Sequence, residues 1–401
     1  MAEPSSREAD LAAAFMAIYG NPELSSDPQT MYRRHRAAGD TTRIGPMVVV
    51  HPRALVEEAL DRPAEFSSAM SSARLGNTRP LIPMQLDPPA HGAYRKAIRR
   101  LFTAGRLRPM TPAIIRIAES LIDRLGDRAE VDFATEFAVP LPALVLLELL
   151  GLPARDAALL IALKDAIVHP PWGDPAETER SQAEAGARLY QYFAAVLDDE
   201  AVRARGGLIA DLLGTDVGQR RLTAEEIADI CYLLILAGLD TVTDTLTLSA
   251  AYLAQHPERR RELVDDPALT DHAVEELLRW ETPVPGLPRL VTTETRIGDC
   301  PVRPGEVLFL SLGSANTDEA ALPDAYTVRF DRPRNPHLAF GGGIHRCLGG
   351  YLAKLELSIA LRVWHTRFPD YAIPGGTTIE YATGLRSIPH LPLTLPARPQ
   401  S

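Results

Sequence analysis

Phe340-Gly341-Gly342-Gly343-Ile344-His345-Arg346-Cys347-Leu348-Gly349 is the stretch that decides how this chain folds. A single cysteine follows a glycine-rich turn and precedes a helix-like stretch, Gly350 to Phe368. Glycines permit a tight backbone that aims amide N–H groups at a sulfur. A helix N-terminus then favours negative charge on that sulfur. Both features suit a thiolate that ligates a metal. The plain alternative is a buried cysteine whose role is packing.

Bulk properties bound the rest. At 401 residues, length alone suggests two or three domains. The chain is 46% hydrophobic and 23% charged, enough apolar material for a large core. A formal net charge of −10 argues against general nucleic-acid binding. Three cysteines, Cys231, Cys300 and Cys347, make no disulfide framework and fit a reducing cytoplasm. Met1 to Asp10 is polar and carries no signal peptide. Ala138 to Pro153, the best candidate for a membrane span, is interrupted by Pro140, Pro142 and Glu148.

Most of the chain reads as amphipathic helix, notably Ala54 to Asp61, Pro112 to Leu125, Pro142 to Leu150 and Ala183 to Asp199. Short β-prone runs fall at Pro46 to Val50, Arg289 to Thr293 and Glu306 to Leu312. Proline-rich breaks are expected at His169 to Pro175 and Pro283 to Pro288. No linker separates two domains, so one domain is expected over residues 1–401 despite the length. The longest helix runs from Thr223 to Gln255, opened by a capping box of Thr223 and Glu226. At 1.5 Å per residue it spans roughly 50 Å. In its middle lies Ala237-Gly238-Leu239-Asp240-Thr241. Glycine there costs about 1 kcal/mol against alanine, and the Thr241 hydroxyl can bond back to Gly238 or Ala237. A small groove results.

The loop pattern F-G-x-G-x-H-x-C-x-G resembles the haem-binding loop of the cytochrome P-450 family. From about Pro46 onward the order of motifs is that of the family; residues 1–45 form an N-terminal extension with the weakest resemblance. The resemblance implies a mainly α fold with minor β, holding haem b (iron protoporphyrin IX) between a long central helix and the cysteine loop. Cys347 would be the metal ligand, with Phe340 and Gly341 against the cofactor. Ala237 and Gly238 would flank a groove that holds dioxygen; Thr241 and Asp240 would be the catalytic pair, Asp240 relaying protons from solvent. The wording Gly238-Leu239-Asp240-Thr241-Val242 is similar to the camphor-hydroxylase branch. Glu276 and Arg279, an E-x-x-R one turn apart, would form a buried structural pair completed by a later arginine. Here Val328-Arg329-Phe330-Asp331-Arg332-Pro333-Arg334 departs from the usual F-D-x-x-R; spacing to His337 selects Arg332, with Arg334 open. His91 and Arg95 (within Asp87-Pro88-Pro89-Ala90-His91), Arg289 and His345 match four positions that bind haem propionates, and charge-assisted bonds explain those residue types.

The resemblance further implies a monooxygenase that inserts one atom of O2 into a small lipophilic substrate. No flavin or nicotinamide fingerprint is apparent, so electrons from NAD(P)H would arrive through a separate ferredoxin and its reductase. A basic docking face is expected from Lys96, Arg99, Arg100, Arg106, Arg108 and Arg346. The chain lacks the N-terminal anchor of microsomal members and looks like a soluble, cytoplasmic, bacterial-type monomer that binds neither membrane nor nucleic acid. By analogy of position with the family, the pocket would draw on Ser67 to Met84, Val168 to Pro175, Leu233 and Ala237, Val284 to Leu287, and Thr383 to Leu385. Arg74 and Arg79 read as solvated loop charges, with capture of a substrate carboxylate the alternative. A non-catalytic haem sensor is disfavoured because it needs no proton relay, and a peroxide-driven oxygenase because such enzymes often lose the acid–threonine pair. Cys231 and Cys300 have no ligand spacing.

Overall fold

The computed structural model describes residues 6–70, 75–170, 175–382 and 384–396. Helices dominate, and their boundaries follow local chemistry. Pro112 sits in the first turn of Thr111–Leu125 and Pro140 opens Pro140–Leu150, where a missing N–H costs nothing. Gly151, in the left-handed region, ends the second of these. Pro175–Asp198 starts eight residues earlier than the sequence pattern indicates, because its first turns are polar and carry no apolar stripe.

The one larger sheet has five strands in the order Thr41–Ile44, Met47–Val50, Val307–Ser311, Gly286–Val291 and Phe66–Ser67. Val307–Ser311 runs parallel to Met47–Val50 and antiparallel to Gly286–Val291. The Pro283–Pro288 stretch is therefore not simply a break: a strand begins inside it at Gly286. Pro288 is tolerated because Phe66–Ser67 pairs only with Leu290 and Val291, which leaves the edge at Pro288 open. Residues 6–45 are tied to the rest of the chain. Arg36 donates to the carbonyls of Ser314 and Thr317, and Gln29 to that of Trp280.

The long central helix is two helices. Ala224–Gly238 and Asp240–Gln255 meet at Leu239, whose ψ of −67° departs from helical geometry. The Thr223–Glu226 capping box opens the first, both reciprocal hydrogen bonds being present. Thr270–Glu281 and Gly350–Arg367 pack against the second half, and this bundle sets the site. No described helix is long and apolar enough to cross a membrane.

Candidate active site

Backbone geometry builds the cysteine loop. Gly341 and Gly343 have φ of 65° and 58°, values that L side chains rarely adopt. A Cβ on Gly343 would lie 2.3 Å from the Leu60 carbonyl oxygen. The loop closes through the Cys347 amide, which donates to Phe340 O at 2.8 Å. Burial pushes the Cys347 thiol up. The amides of Gly349 and Gly350 and the charges of Arg95 and Arg346 work against that, favouring the thiolate. The sulfur is nonetheless accessible, because Cys347 faces two hollows. Cys231, fully buried, has its thiol pushed to about 12 by that burial. Cys300 lies in a hairpin beside Arg43.

Above Cys347 lies a cavity of about 440 Å³ between the loop and the break in the central helix. Phe340, Gly341, Ala237, Gly238 and Thr241 line it. Thr241 Oγ1 donates to the Ala237 carbonyl at 3.0 Å, one of the two carbonyls that the sequence left open. Thr245 repeats this bond to Thr241 O at 2.6 Å. Val284 and Leu287 stand on the wall, but Leu233 and Leu385 do not. Leu234 takes the place of Leu233: it lies three and seven residues before Ala237 and Thr241, on their helix face. Arg74, Thr383 and residues 171–174 lie outside the described residues. Arg79 is neither free in solvent nor at the cavity. It donates to both Asp229 carboxylate oxygens at 3.0 Å and lies over the Tyr190 ring, tying the loop to two helices.

Of the four cationic or imidazole side chains, Arg289 and His345 line the cavity, and His91 and Arg95 line the hollow on the far side of Cys347. The His91 and His345 rings are 4.2 Å apart, and Nε2 of each is buried without a hydrogen-bond partner. Burial, with help from His91 and Arg289, pulls the His345 imidazole down to about 3. Burial also lowers Arg289 to about 10, opposed by Asp87. Arg95 reaches back to the Arg346 carbonyl. Buried polar atoms left unpaired on one rim call for a ligand that supplies acceptors. Two carboxylates on an apolar plate, as in haem, meet that need, and an apolar cavity with one thiolate on its floor fits the rest.

Beneath the loop, Glu276 is fully buried and fully satisfied. Arg279 holds it through two bonds of 2.8 Å, and Arg332 Nε lies 3.0 Å from both oxygens. The Arg329 amide and Asn335 Nδ2 complete the set at 2.9 Å. Arg332 therefore occupies the place for which Arg334 was the other candidate.

Asp240 does not line the cavity. It is buried against Lys164, an ion pair 76 residues apart in sequence, and accepts from His169 Nε2 at 3.1 Å. Burial pushes its carboxyl up, but the His169 hydrogen bond and the Lys164 charge outweigh this and hold it below the ordinary range. Neither Lys164 nor His169 carries a sequence signal, since only tertiary packing joins them to Asp240. Asp165, His169 and Asp240 offer ligand atoms within 4.8 Å of one another, but the Lys164 ammonium already bridges the two carboxylates.

On the opposite side of Cys347 is a more open hollow of about 800 Å³. Arg95, Lys96, Arg99 and Arg346 line it, joined by Lys354 and Tyr351, which the sequence reading did not include. Arg100 and Arg106 turn elsewhere, to Thr215 and Asp211, and Arg108 is exposed away from the hollow.

An accessible cysteine poised between an apolar cavity and an outer basic hollow, under a kinked helix with a threonine at the kink, fits a haem-thiolate protein. The comparisons make that assignment specific. The family model described as Cytochrome P450 matches residues 189–368. The chain is 32% identical over 330 residues to the putative cytochrome P450 YjiB of Bacillus subtilis, covering 80% of this chain and 82% of that one. It is 33% identical over 290 residues to the mycinamicin IV hydroxylase/epoxidase of Micromonospora griseorubida, covering 71% and 72%. The crystal structure of CYP109E1 from Bacillus megaterium in complex with testosterone superimposes with a TM-score of 0.85 at 25% identity, covering 94% and 99%. This chain belongs to the cytochrome P450 family, and its fold and activity class are those of a P450 monooxygenase.

Proposed function

We propose that the chain is a single-domain, monomeric, cytoplasmic monooxygenase that oxidises a small lipophilic molecule, drawing electrons from NAD(P)H through a ferredoxin. The observation that carries the substrate class is the cavity wall: Leu146, Leu234, Val284, Leu287 and Leu312 dominate it, and Arg289, His345 and Glu356 are its only titratable side chains besides Cys347 among the described residues. Desolvation of a matching apolar molecule supplies the binding free energy, about 25 cal/mol per Å² buried. Polar atoms on the wall, from Thr241, Thr245 and Gln85, are few enough to orient rather than to recognise a charge.

Bound through Cys347, haem supplies oxygen activation, the thiolate donating electron density that favours O–O cleavage. The protein supplies position and protons. The Gly349 and Gly350 amides oppose the burial that raises the Cys347 thiol, and would support its thiolate once iron is bound. His91, His345, Arg289 and Arg95 would hold the two propionates. Phe340 and Gly341 form the floor, and Ala237 and Gly238 leave room above it. Thr241 presents a hydroxyl to the groove, and the Asp240 side of the helix connects to solvent through His169, which is 39% exposed. Glu276, Arg279 and Arg332 keep the loop in register.

The ferredoxin reading rests on Lys96, Arg99, Arg346 and Lys354, clustered around the hollow beneath Cys347 on a chain of net charge −10. Electrostatic steering would raise the association rate and be screened over about 10 Å at 0.1 M salt. A lipophilic ligand screen, with testosterone as the first probe, should yield a low-spin to high-spin Soret shift. Arg99→Glu with Lys96→Glu should then slow first-electron transfer from a ferredoxin at least tenfold and flatten its salt dependence, with that spin shift intact. A rate indifferent to salt and to charge reversal removes the acidic ferredoxin from the reading. A screen answered only by polar or charged ligands removes the lipophilic substrate.

A further inference from the structure

The second half of the central helix carries two ladders side by side. Thr241 and Thr245 face the cavity. Asp240 and Asp244, also four residues apart, do not line it and are each 5% exposed. Residues at this spacing stand roughly 5–6 Å apart on one helix face. The two acids have opposite surroundings. Asp240 is bonded to Lys164 and His169. Asp244 Oδ2 is buried with no hydrogen-bond partner. A carboxylate in that position would lack compensation, whereas a carboxylic acid fits it.

We propose that Asp244 holds the proton destined for the groove beside Thr241, while Asp240, tied to Lys164, is the ionised link that passes protons inward from His169. This rests on the monooxygenase reading given above. It divides between two acids a role that one acid serves poorly. An Asp240 carboxylate neutralised by a buried ammonium cannot store a proton without losing that partner, so it carries one only in passing. Asp244 has no such partner to lose. Burial pushes its carboxyl well above the usual range, the Asp240 charge adds to that, and Lys164 opposes it. Paired acids driven apart in this way mark the proton holder and the charge holder. Other elements also pack on this helix, among them Pro140–Leu150, Thr270–Glu281 and Gly350–Arg367. The charges that act on Asp244 most are those of Asp240 and Lys164.

The transfer balances simply. The Asp244 O–H bond breaks, the proton is consumed by oxygen reduction at the groove, and a carboxylate remains. A solvent proton entering at His169 and passing Asp240 restores the acid. No electron moves within the pair. Asp244 is thus a positioning residue that stores a proton, not a group in contact with substrate.

Two readouts test this without knowledge of the substrate. In a Glu356→Gln background, which removes the other buried carboxyl left without a hydrogen-bond partner among the described residues, infrared spectra of the resting holoprotein at neutral pH should contain the carbonyl stretch of one buried carboxylic acid. That band should vanish in Asp244→Asn and persist in Asp240→Asn. In substrate-free turnover with NADPH, a plant-type ferredoxin and its reductase, oxygen leaves as hydrogen peroxide (two protons) or water (four protons). Asp244→Asn should lower the water share at least tenfold, within the about 10²–10⁴-fold that positioned proton transfer contributes. Asp244→Glu should restore much of it. The wild-type water share should fall as pH rises through the titration of the band, and the Asn variant should lose that pH dependence. A band that survives Asp244→Asn, or an unchanged water share and pH profile, overturns the proposal. If Asp244→Asn does not fold, absence of a protonated carboxyl band in the wild type overturns it alone. If the reduced carbonyl complex of the wild type lacks its thiolate signature, the monooxygenase reading has failed instead.

Discussion

The two sides of the cavity are built on opposite principles. On the cysteine side the buried charge is saturated: Glu276 has two arginines, a backbone amide and an asparagine. On the central-helix side a buried carboxyl oxygen, Asp244 Oδ2, is left without a partner. Satisfied charge makes a scaffold that has one arrangement. Unsatisfied charge stays protonated or waits for a partner, and that is where protons can move. The difference teaches that burial of an acid says little about its role until its partners are counted.

Substitution on each side should therefore fail in its own way. The largest effect is expected on the scaffold. Glu276→Gln leaves Arg279 and Arg332 facing a neutral amide in a dry interior and should cost about 3–5 kcal/mol. Denaturant unfolding and haem retention would register it, with any remaining folded protein showing normal proton coupling. A loss below 1 kcal/mol would erase the contrast between the two sides.

Thr241→Ala is the helix-side counterpart. It removes a hydroxyl at the groove while sparing the fold, since the Thr241 side chain bonds only to the Ala237 carbonyl across the break at Leu239. With the ligand that gives the largest spin shift, product per NAD(P)H should fall about tenfold, or about 1.4 kcal/mol in partitioning, and peroxide should rise. Unfolding should move by less than about 1 kcal/mol. Unchanged product per electron would make Thr241 a packing residue.

A smaller effect separates the sides by pH. Burial pulls the Glu275 carboxyl up, but hydrogen bonds from His337 and Lys354 outweigh it and hold it at about 2, against an ordinary 4.5. Its folded-state value is depressed, so the stability it adds is full above about 4.5 and is lost as pH falls toward 2. Lys354→Ala should raise the acid-unfolding midpoint within that window and leave neutral-pH stability within about 1 kcal/mol. An unmoved midpoint would show that Glu275 is not held by this contact.

What could be read from sequence follows the same division. The cysteine loop was legible because its geometry is local: glycine backbone at Gly341 and Gly343, and amides from adjacent residues, need only a short string. The helix pattern was legible where apolar residues repeat, as in Thr111–Leu125. The break at Leu239 was visible only as a weakness around Gly238, because tertiary packing decides whether a weak helix parts. Lys164 and His169 were invisible because Asp240 meets them across 76 and 71 residues. The strand at Gly286 was masked by its prolines, which an open sheet edge tolerates. Arg79 read as a solvated loop charge, since nothing nearby in sequence reveals Asp229.

Cys347 anchors every part of this account, and one spectrum tests it. Freshly purified wild type, reduced and exposed to carbon monoxide, should show the strongly red-shifted Soret band of thiolate-ligated haem, as should Cys231→Ser and Cys300→Ser, while Cys347→Ser should not. A wild-type band at the position of histidine-ligated haem, or a thiolate band that survives Cys347→Ser, would contradict the assignment.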